Sequence, residues 1–228
     1  MKVLLIIPAY NEAGSIEQVV RDLIDHYPQY DYVIINDGSE DGTEAICRKN
    51  HYHFISHPVN LGLVGAFKTG MRYAMQHGYD AAMQFDGDGQ HNPAYIAPMI
   101  EQIEAGYNIV IGSRFAAKKK PFSMRMIGND LIRAAIRLTT GKTISDPTSG
   151  MRLYDKTMIR KLATAEDLGP EPDTLAFLIR KKARVTEVQA EMNERTAGKS
   201  YLTAAKSIRY MLSMMVSILV LQWIKKGE

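Results

Sequence analysis

The stretch A-A-M-Q-F-D-G-D-G-Q-H at residues 81–91 places a mostly apolar run directly before two aspartates. A short, nearly continuous apolar run is typical of a strand that is buried on both faces of a parallel sheet. We therefore predict a strand at 81–85 that ends at Asp86. Asp86 and Asp88, separated by one glycine, then lie at the carboxyl end of that strand.

The same pattern recurs on both sides of this stretch. Further strands are predicted at 3–7, 32–35, 54–55, 108–111 and 185–188. Helices are predicted to start at Ser15 and Thr43 and to cover 63–75, 95–105, 131–138, 156–162, 174–182 and 210–224. Strands that alternate with helices predict an α/β fold with a mostly parallel sheet and helices on both faces. In such sheets ligands bind at the carboxyl ends of the strands, so the loops there should meet at one edge.

The composition excludes several classes of protein. A chain of 228 residues with 46% hydrophobic and 23% charged residues fits one large domain, or one domain with an appendage. The single cysteine, Cys47, rules out an internal disulfide framework and leaves too few thiols for a structural zinc site. The apolar run at 3–7 is too short for a signal peptide. The chain lacks both the glycine fingerprint of dinucleotide-binding folds and the P-loop motif.

The charge is distributed unevenly along the chain. Residues 1–100 carry 6 basic and 12 acidic side chains, whereas residues 101–228 carry 22 basic and 13 acidic ones. A basic half indicates an anionic partner such as phosphate, lipid headgroups or nucleic acid; the alternative is a solvated charged surface. A nucleic-acid-binding module would interleave aromatic with basic residues, and that pattern is weak here. We therefore expect no nucleic-acid partner.

The two aspartates of the opening stretch are candidate metal ligands. Asp86 and Asp88 can hold a hard divalent cation together with phosphate oxygens, and Gln90 can add a neutral oxygen. Mg²⁺ and Mn²⁺ suit so small a set of ligands, because both accept substrate phosphates as further ligands. The alternative is a turn in which the aspartates and glycines only serve the backbone geometry.

Other loops supply candidate contacts to a nucleotide and to phosphates. Asp37 follows a predicted strand and can accept hydrogen bonds from a base or ribose, although a helix-capping turn is an equal alternative. The loop at 8–12 can line a nucleotide pocket, with Tyr10 beside the base. Guanidinium and ammonium groups bind phosphate oxygens. Four such residues are candidates: Arg114, Arg125, Arg195 and Lys199.

Taken in order, these residues resemble glycosyltransferase family 2, in particular its polyprenyl-phosphate branch, which includes dolichol-phosphate mannose synthase, in a small bacterial form without spanning helices. The matching blocks are I-P-A-Y-N-E at 7–12, N-D-G-S at 36–39, N-L-G at 60–62, D-G-D-G-Q-H at 86–91, G-S-R at 112–114, D-P-T-S-G-M-R-L-Y at 146–154 and R-T-A-G-K-S at 195–200. Seven blocks in the same order make chance agreement very improbable. Asn36 departs from the pattern, since many relatives carry a second aspartate there.

The resemblance implies a GT-A fold and a set of functional residues. Asp86, Asp88 and Gln90 would surround Mg²⁺ or Mn²⁺. The nucleotide sugar would contact Pro8, Ala9, Tyr10, Glu12, Asp37, Asp86, Asp88, Arg195 and Lys199. The catalytic residues would be Asp86, Asp88, Arg114 and Arg125, with the two arginines facing the acceptor phosphate.

The implied reaction is an inverting, metal-dependent transfer of a sugar from a nucleotide diphosphate to polyprenyl (undecaprenyl) phosphate, for the synthesis or modification of cell-surface polysaccharide. UDP-glucose or UDP-N-acetylglucosamine is the expected donor, and GDP-mannose is the alternative. A growing glycan or a protein is the alternative acceptor.

The end of the chain suggests a contact with a membrane surface. The apolar segment at 210–224 is shorter than the roughly 20 residues that a spanning helix needs. It predicts a helix that lies in the interface, with Lys225 and Lys226 at headgroup level and a second contact at 118–120. The alternative is packing on its own domain or on a neighbouring subunit. We thus expect a domain at 1–200, an associating helix at 201–228, a peripheral position on the cytoplasmic face, a homo-oligomer and a small membrane-protein partner.

Overall fold

The computed structural model describes residues 1–118, 124–193, 204–225 and 227, and the side chains of 124–125 and 204–208 are not described. A seven-stranded sheet lies at its centre, in the order β3-β2-β1-β4-β6-β5-β7. The strands are β1 Val3–Ala9, β2 Asp31–Asn36, β3 Phe54–Ser56, β4 Ala81–Gln84, β5 Ile109–Ser113, β6 Arg152–Asp155 and β7 Val185–Gln189. The helices are α1 Ile16–His26, α2 Thr43–Lys49, α3 Gly62–Gln76, α4 Ile96–Glu104, α5 Met124–Thr140, α6 Lys156–Thr164, α7 Pro172–Arg180 and α8 Ala204–Leu219. Short 3₁₀ turns cover Pro93–Tyr95 and Leu221–Trp223.

The sheet divides the core into two layers because successive side chains of a strand point to opposite faces. On β1, Leu4 and Ile6 pack with residues of α3, α5, α6 and α7 on one face. Leu5 and Ile7 pack with residues of α1, α2 and α4 on the other face. The strand is buried on both sides, which explains why its sequence is a continuous apolar run.

The sequence-based prediction of the strands missed β6. No strand was predicted between the helices at 131–138 and 156–162, whereas residues 152–155 form a strand that runs antiparallel to both β4 and β5. Its four residues are too few to show a clear alternation, and an antiparallel insertion does not follow the strand–helix alternation of the rest of the chain. Two helix starts differ from the prediction by more than two residues: α5 begins at Met124 instead of 131, and α8 begins at Ala204 instead of 210.

Helix α8 packs against α5 and α7. Ser217 and Ile218 are buried, and Met211 lies against Gly128, where a Cβ atom would come within 1.6 Å of the Met211 sulfur. Within the described part of the chain, no helix combines the length and the apolar character that crossing a bilayer requires.

Candidate active site

Three loops meet at the carboxyl edge of the parallel part of the sheet. Strands β1 and β2 end together, with Ala9 opposite Asn36 in the register. The loop after β2 is tied to β1 by the Asp37 amide, which donates to the Ala9 carbonyl at 2.8 Å. The loop after β4 is tied to the same strand by Phe85, whose amide donates to the Ile6 carbonyl at 2.8 Å. The topology therefore brings the motifs at 8–12, 36–39 and 86–91 to one edge, as predicted.

Side chains of the first two loops cap each other's backbone. Asn11 adopts a left-handed conformation (φ 57°), and its side-chain oxygen accepts from the Glu40 amide at 2.9 Å. The Asn11 amide in turn donates to the Ser39 hydroxyl at 3.0 Å. The Glu12 amide donates to the Thr43 hydroxyl at 2.9 Å. These bonds fix the loop after β1 to the loop after β2 and to the first residue of α2.

Asp37 is buried and held by two donors on the same oxygen. Its Oδ1 lies 2.7 Å from His57 Nδ1 and accepts from the Leu61 amide at 2.9 Å. The other ring nitrogen of His57, Nε2, lies 2.8 Å from the Thr69 hydroxyl on α3. The Asp37 and His57 side chains are only 4% and 8% exposed, so water competes little with these contacts. Asp37 is therefore fixed in orientation by the fold.

Gly38 brings the backbone of the second loop close to its neighbour. Its φ is +67°, and a Cβ atom there would lie 2.6 Å from the Val59 carbonyl carbon. Both the left-handed conformation and this contact require glycine. A side chain at this position would separate the second loop from residues 59–60.

Asn36, the departure from the family pattern, uses its amide group as a donor. Its Nδ2 donates to the Ser56 hydroxyl at 2.9 Å and to the Glu44 carboxylate at 3.2 Å. Arg48 pairs with the same glutamate and is the main cause of the lowered pKa of Glu44. An aspartate at position 36 would place a second negative charge against Glu44, which explains why an amide suits this chain.

A cleft of about 600 Å³ opens beside these loops. Its wall includes Tyr10, Gly38, His57 and Asn60, so it brings together the two loops predicted to bind a nucleotide. A larger cleft of about 790 Å³ lies between α1 and the loop after β4. The smaller cleft is the candidate nucleotide site, because His57 in its wall is hydrogen-bonded to Asp37.

The two aspartates after β4 lie at the same edge. Asp86 is one-third exposed, and its Oδ2 is 3.2 Å from His91 Nε2. The Asp86 amide donates to His91 Nδ1 at 3.0 Å, so the ring proton lies on Nε2, facing the carboxylate. Asp88 is 6% exposed, and its Oδ1 accepts from the Gln90 amide at 3.0 Å. His91 thus orients Asp86, and the loop's own backbone orients Asp88.

The carboxylates of Asp86 and Asp88 suit a divalent cation only if a bound ligand supplies further oxygens. The described residues include no cluster of three or more histidine, cysteine, aspartate or glutamate side chains suited to a metal ion. Two carboxylates with oriented oxygens suit Mg²⁺ or Mn²⁺ if phosphate oxygens and water complete the coordination. A histidine donating to a metal-binding carboxylate is a common supporting contact.

Arg114 forms a buried ion pair. Its guanidinium donates to both carboxylate oxygens of Asp146, at 2.7 and 2.8 Å, and Asp146 is fully buried. Asn129 on α5 donates to the same carboxylate at 2.9 Å. Burial alone would raise the pKa of Asp146, but the hydrogen bonds and charge of Arg114 outweigh it and hold that pKa below its ordinary value. Arg114 therefore ties the loop after β5 to the segment at 146–148.

The other predicted site residues divide between the described part of the chain and the rest. Pro8 and Ala9 close strand β1, next to Tyr10 and Glu12. Gln90 lies in the loop after β4, where its carbonyl accepts from the Asn193 amide at 2.9 Å. Two predicted phosphate contacts, Arg195 and Lys199, lie outside the described residues, and so does the side chain of Arg125. Their assignments stay predictions.

Sequence reasoning underestimated several residues of the site. His57 and His91 were not among the predicted site residues, and both contact predicted site aspartates. Asp146 appeared only within the block at 146–154, without a role of its own, and Asn129 was not singled out. The block D-P-T-S-G at 146–150 was a usable signal for Asp146, because it belongs to the seven ordered blocks.

The family model for glycosyl transferase family 2 matches residues 4–163. The chain is 29% identical to the undecaprenyl-phosphate mannosyltransferase of Micrococcus luteus, over 89% of this chain and 88% of that protein. It is 34% identical to the UDP-N-acetylglucosamine–dolichyl-phosphate N-acetylglucosaminyltransferase of Methanococcus voltae, over 70% of this chain and 71% of that protein. Relatives named for the transfer of two different sugars thus resemble this chain to a similar degree.

The fold has a counterpart among solved structures. Glucosyl-3-phosphoglycerate synthase from Mycobacterium tuberculosis, in complex with Mn²⁺ and UDP-glucose, superposes with a TM-score of 0.69 at 16% identity. The match covers 96% of this chain and 79% of that one. At this level of identity the likeness concerns the fold alone. It confirms the predicted GT-A architecture, a mostly parallel mixed sheet between two layers of helices.

Proposed function

We propose that this chain, which belongs to glycosyl transferase family 2 and is a glycosyltransferase, transfers a hexose from a nucleoside diphosphate sugar to a polyprenyl phosphate. One observation carries the proposal: the oriented carboxylates Asp86 and Asp88 share a sheet edge with a cleft backed by the anchored Asp37. A nucleoside in the cleft and a diphosphate at the aspartates would match the two halves of such a donor.

The names of the relatives support a polyprenyl-type phosphate as the acceptor, but they do not decide between two classes of donor. Both the M. luteus and the M. voltae proteins are named for transfer to a polyprenyl-type phosphate, and they differ in sugar. We propose UDP-glucose or UDP-N-acetylglucosamine as the donor, with GDP-mannose as the competing candidate. A glycan acceptor is less well supported, because a sugar hydroxyl needs a general base and a lipid phosphate is already anionic.

The proposed reaction is a single displacement with inversion. An oxygen of the lipid phosphate forms a bond to the anomeric carbon while the bond from that carbon to the diphosphate oxygen breaks, and the nucleoside diphosphate leaves. A divalent cation, when bound at Asp86 and Asp88, would neutralise charge that develops on the leaving group. His91 would hold Asp86 in place for this, and Asp37 would fix the nucleoside. Arg114 remains a proposed contact to the acceptor phosphate. Its guanidinium would contact the phosphate while it stays paired with Asp146.

A transfer screen tests this function. The full chain is incubated with undecaprenyl phosphate and radiolabelled UDP-glucose, UDP-N-acetylglucosamine or GDP-mannose, with Mn²⁺, with Mg²⁺ or with EDTA. We expect label in the lipid fraction with one UDP-sugar and a divalent cation, and none with EDTA. Absence of lipid label with all three donors, or equal transfer in EDTA, would contradict the proposal.

We also propose that α8 and its continuation lie on a membrane surface, on its cytoplasmic side. One face of this region exposes large apolar side chains; this apolar face consists of Leu212, Val216, Leu219, Val220, Leu221, Trp223 and Ile224. The opposite side is fixed to the protein, since Ser217 and Gln222 are buried. An amphipathic helix of this kind suits the boundary between headgroups and acyl chains. Sedimentation of the full chain, with and without vesicles, distinguishes binding to a membrane from dimerisation. Sedimentation together with vesicles would support membrane binding, and a dimer in their absence would indicate that a second copy covers the apolar face.

One detail of the predicted membrane contact was wrong. Lys225 was expected at headgroup level, but its ammonium group lies 2.8 Å from the buried Asp173 carboxylate and is mostly covered. Lys118 pairs with Glu191. Lys119, Lys120 and Lys226 lie outside the described residues.

A further inference from the structure

We infer that His57 makes Asp37 a single-oxygen acceptor, and that this selects a pyrimidine imide over guanine in the donor nucleotide. The inference rests on the proposed function, since it assumes that the cleft beside Asp37 receives the base. It names a specificity-determining residue outside the motif blocks that suggested the donor site. It also gives the donor preference a physical cause within this chain.

The protein itself already uses Asp37 Oδ1. A carboxylate oxygen has two acceptor positions. On Oδ1 these are taken by the His57 ring at 2.7 Å and by the Leu61 amide at 2.9 Å. Because a carboxylate only accepts hydrogen bonds, the proton between these groups belongs to His57 Nδ1. Within the described part of the chain both donors to this carboxylate are on Oδ1, so Oδ2 is the oxygen left for a ligand.

The contact between Asp37 and His57 is rigid. His57 is held on its far side by Thr69 at 2.8 Å, so the ring does not swing away to release Oδ1. Gly38 and residues 59–60 pack against each other in front of it. Asp37 lies next to the cleft wall formed by Gly38 and His57, so a base that reaches it would meet a fixed carboxylate with one oxygen left to accept a hydrogen bond.

The nucleobases differ in the N–H donors that they present to a carboxylate. Uracil and thymine present one N–H, at N3, between two carbonyl oxygens, so one carboxylate oxygen satisfies their only donor on that edge. Guanine presents two adjacent donors, N1–H and the exocyclic amine, and pairs with a carboxylate through both oxygens. With Oδ1 occupied, one guanine donor stays unpaired in a buried place, which is costly. Cytosine presents an acceptor at N3 beside its exocyclic amine, so a carboxylate oxygen could accept from the amine only while the N3 lone pair lies against it.

Nucleotide binding tests the inference directly. Dissociation constants of UDP, dTDP, GDP and CDP are measured by calorimetry with Mn²⁺ for the full chain. We expect UDP or dTDP to bind at least tenfold more tightly than either GDP or CDP; the UDP and dTDP arms distinguish the two imides. Equal binding of UDP and GDP, or tighter binding of GDP, overturns the inference.

Two substitutions at one position identify the cause. His57→Gln keeps an N–H donor for Asp37 and should keep the preference for UDP over GDP within about threefold. His57→Leu removes the donor at similar volume and should narrow the preference at least fivefold, because Oδ1 becomes available to guanine. His53→Ala, at an exposed histidine nearby, is the control and should leave all four constants unchanged. Equal changes in the Gln and Leu variants would overturn the role of His57.

The same measurements separate this inference from the proposed function. If the wild-type chain binds none of the four nucleoside diphosphates, the proposed function fails and the inference fails with it. If it binds all four without preference while transfer to lipid phosphate proceeds, only the inference fails.

Discussion

Two regions of this molecule are held together in different ways. At the donor edge, Asn11, Ser39 and Thr43 form neutral hydrogen bonds with backbone amides 28 to 31 residues away in the chain. At the other region, the C-terminal segment is fixed to α7 through one buried charge, since Ser217 of α8 and Lys225 beyond it both bond to Asp173. The donor edge is thus held by several neutral hydrogen bonds between loops, and the attachment of the C-terminal segment depends on a buried ion pair.

The two regions also differ in charge and exposure. The first 100 residues carry the excess of acidic side chains and the donor site, and the rest of the chain carries the basic excess. The apolar face of α8 is exposed, whereas the apolar residues behind the donor loops are buried. We infer that one region carries out the chemistry and the other positions the enzyme. Each of the following substitutions should affect one region and leave the other intact.

The largest effect is expected at the metal-binding loop. Asp88→Ala removes one of the two carboxylates and should lower transfer about a thousandfold, corresponding to about 4 kcal/mol of lost leaving-group stabilisation. The fold should remain, because the bond lost to the Gln90 amide lies in a loop. Steady-state transfer and thermal unfolding measure the two effects. The control is Asp80→Asn, just before the same strand, where the carboxylate accepts from the Lys2 amide. Wild-type turnover in Asp88→Ala would remove the metal assignment.

The next effect concerns the approach of the donor loops. Gly38→Ala should weaken UDP binding and lower the free energy of unfolding by about 3 kcal/mol, since the new Cβ meets backbone atoms and the φ is left-handed. Gly62→Ala has a similarly positive φ (+76°) with nothing near the new Cβ, so it should cost only about 1 kcal/mol. Calorimetry and chemical denaturation compare the pair. Equal effects in both variants would mean that the close approach at residues 59–60 is unimportant.

A moderate effect is expected at the attachment of α8. Asp173→Asn leaves Lys225 without its charge partner and should lower the free energy of unfolding by about 2 kcal/mol, with donor binding unchanged. The same substitution in a Lys225→Met background should cost clearly less, since no charge is then stranded. Additive losses across this cycle would show that the two groups do not interact.

The same pair predicts a pH dependence of stability. Burial would raise the pKa of Asp173, but the hydrogen bonds from Lys225 and Ser217 and the charge of Lys225 outweigh it and lower that pKa. A lowered folded-state pKa means that the stabilisation is present above the unfolded value of about 3.9 and is lost as the pH falls below it. The free energy of unfolding, measured by chemical denaturation, should change less between pH 6 and pH 3 for Asp173→Asn than for the wild type. An unchanged difference would contradict the ion pair.

The smallest effect is expected on the exposed surface. Replacing both Leu212 and Val216 with serine should lower binding to anionic vesicles about tenfold, through lost apolar burial, and leave transfer to a detergent-solubilised acceptor unchanged. Ile24→Ser is the control, because Ile24 is an exposed apolar residue on α1, outside the apolar face. Vesicle flotation measures the binding. Equal flotation of all three proteins would favour a protein partner for this face.

Much of the donor edge was predictable because its signals are local. One apolar run predicts that β1 is buried, and the motifs at 8–12, 36–39 and 86–91 each lie at or just after the end of a strand. Once the strands are parallel, their carboxyl ends meet at one edge, so Tyr10, Asp37 and Asp86 could be grouped before any coordinates were known. The missed strand β6 shows the limit: four residues between two neighbours that run in the opposite direction carry almost no periodic signal.

The sequence by itself determined the alternation of elements, the sheet edge that carries the motifs and the residue types at that edge. The tertiary structure alone decided the partners: His57 for Asp37, His91 for Asp86, Asp146 for Arg114 and Asp173 for Lys225. The physical reason is that hydrophobic periodicity depends on near neighbours along the chain. An ion pair or a hydrogen bond depends on direction and distance between residues that only the packed sheet and helices bring together.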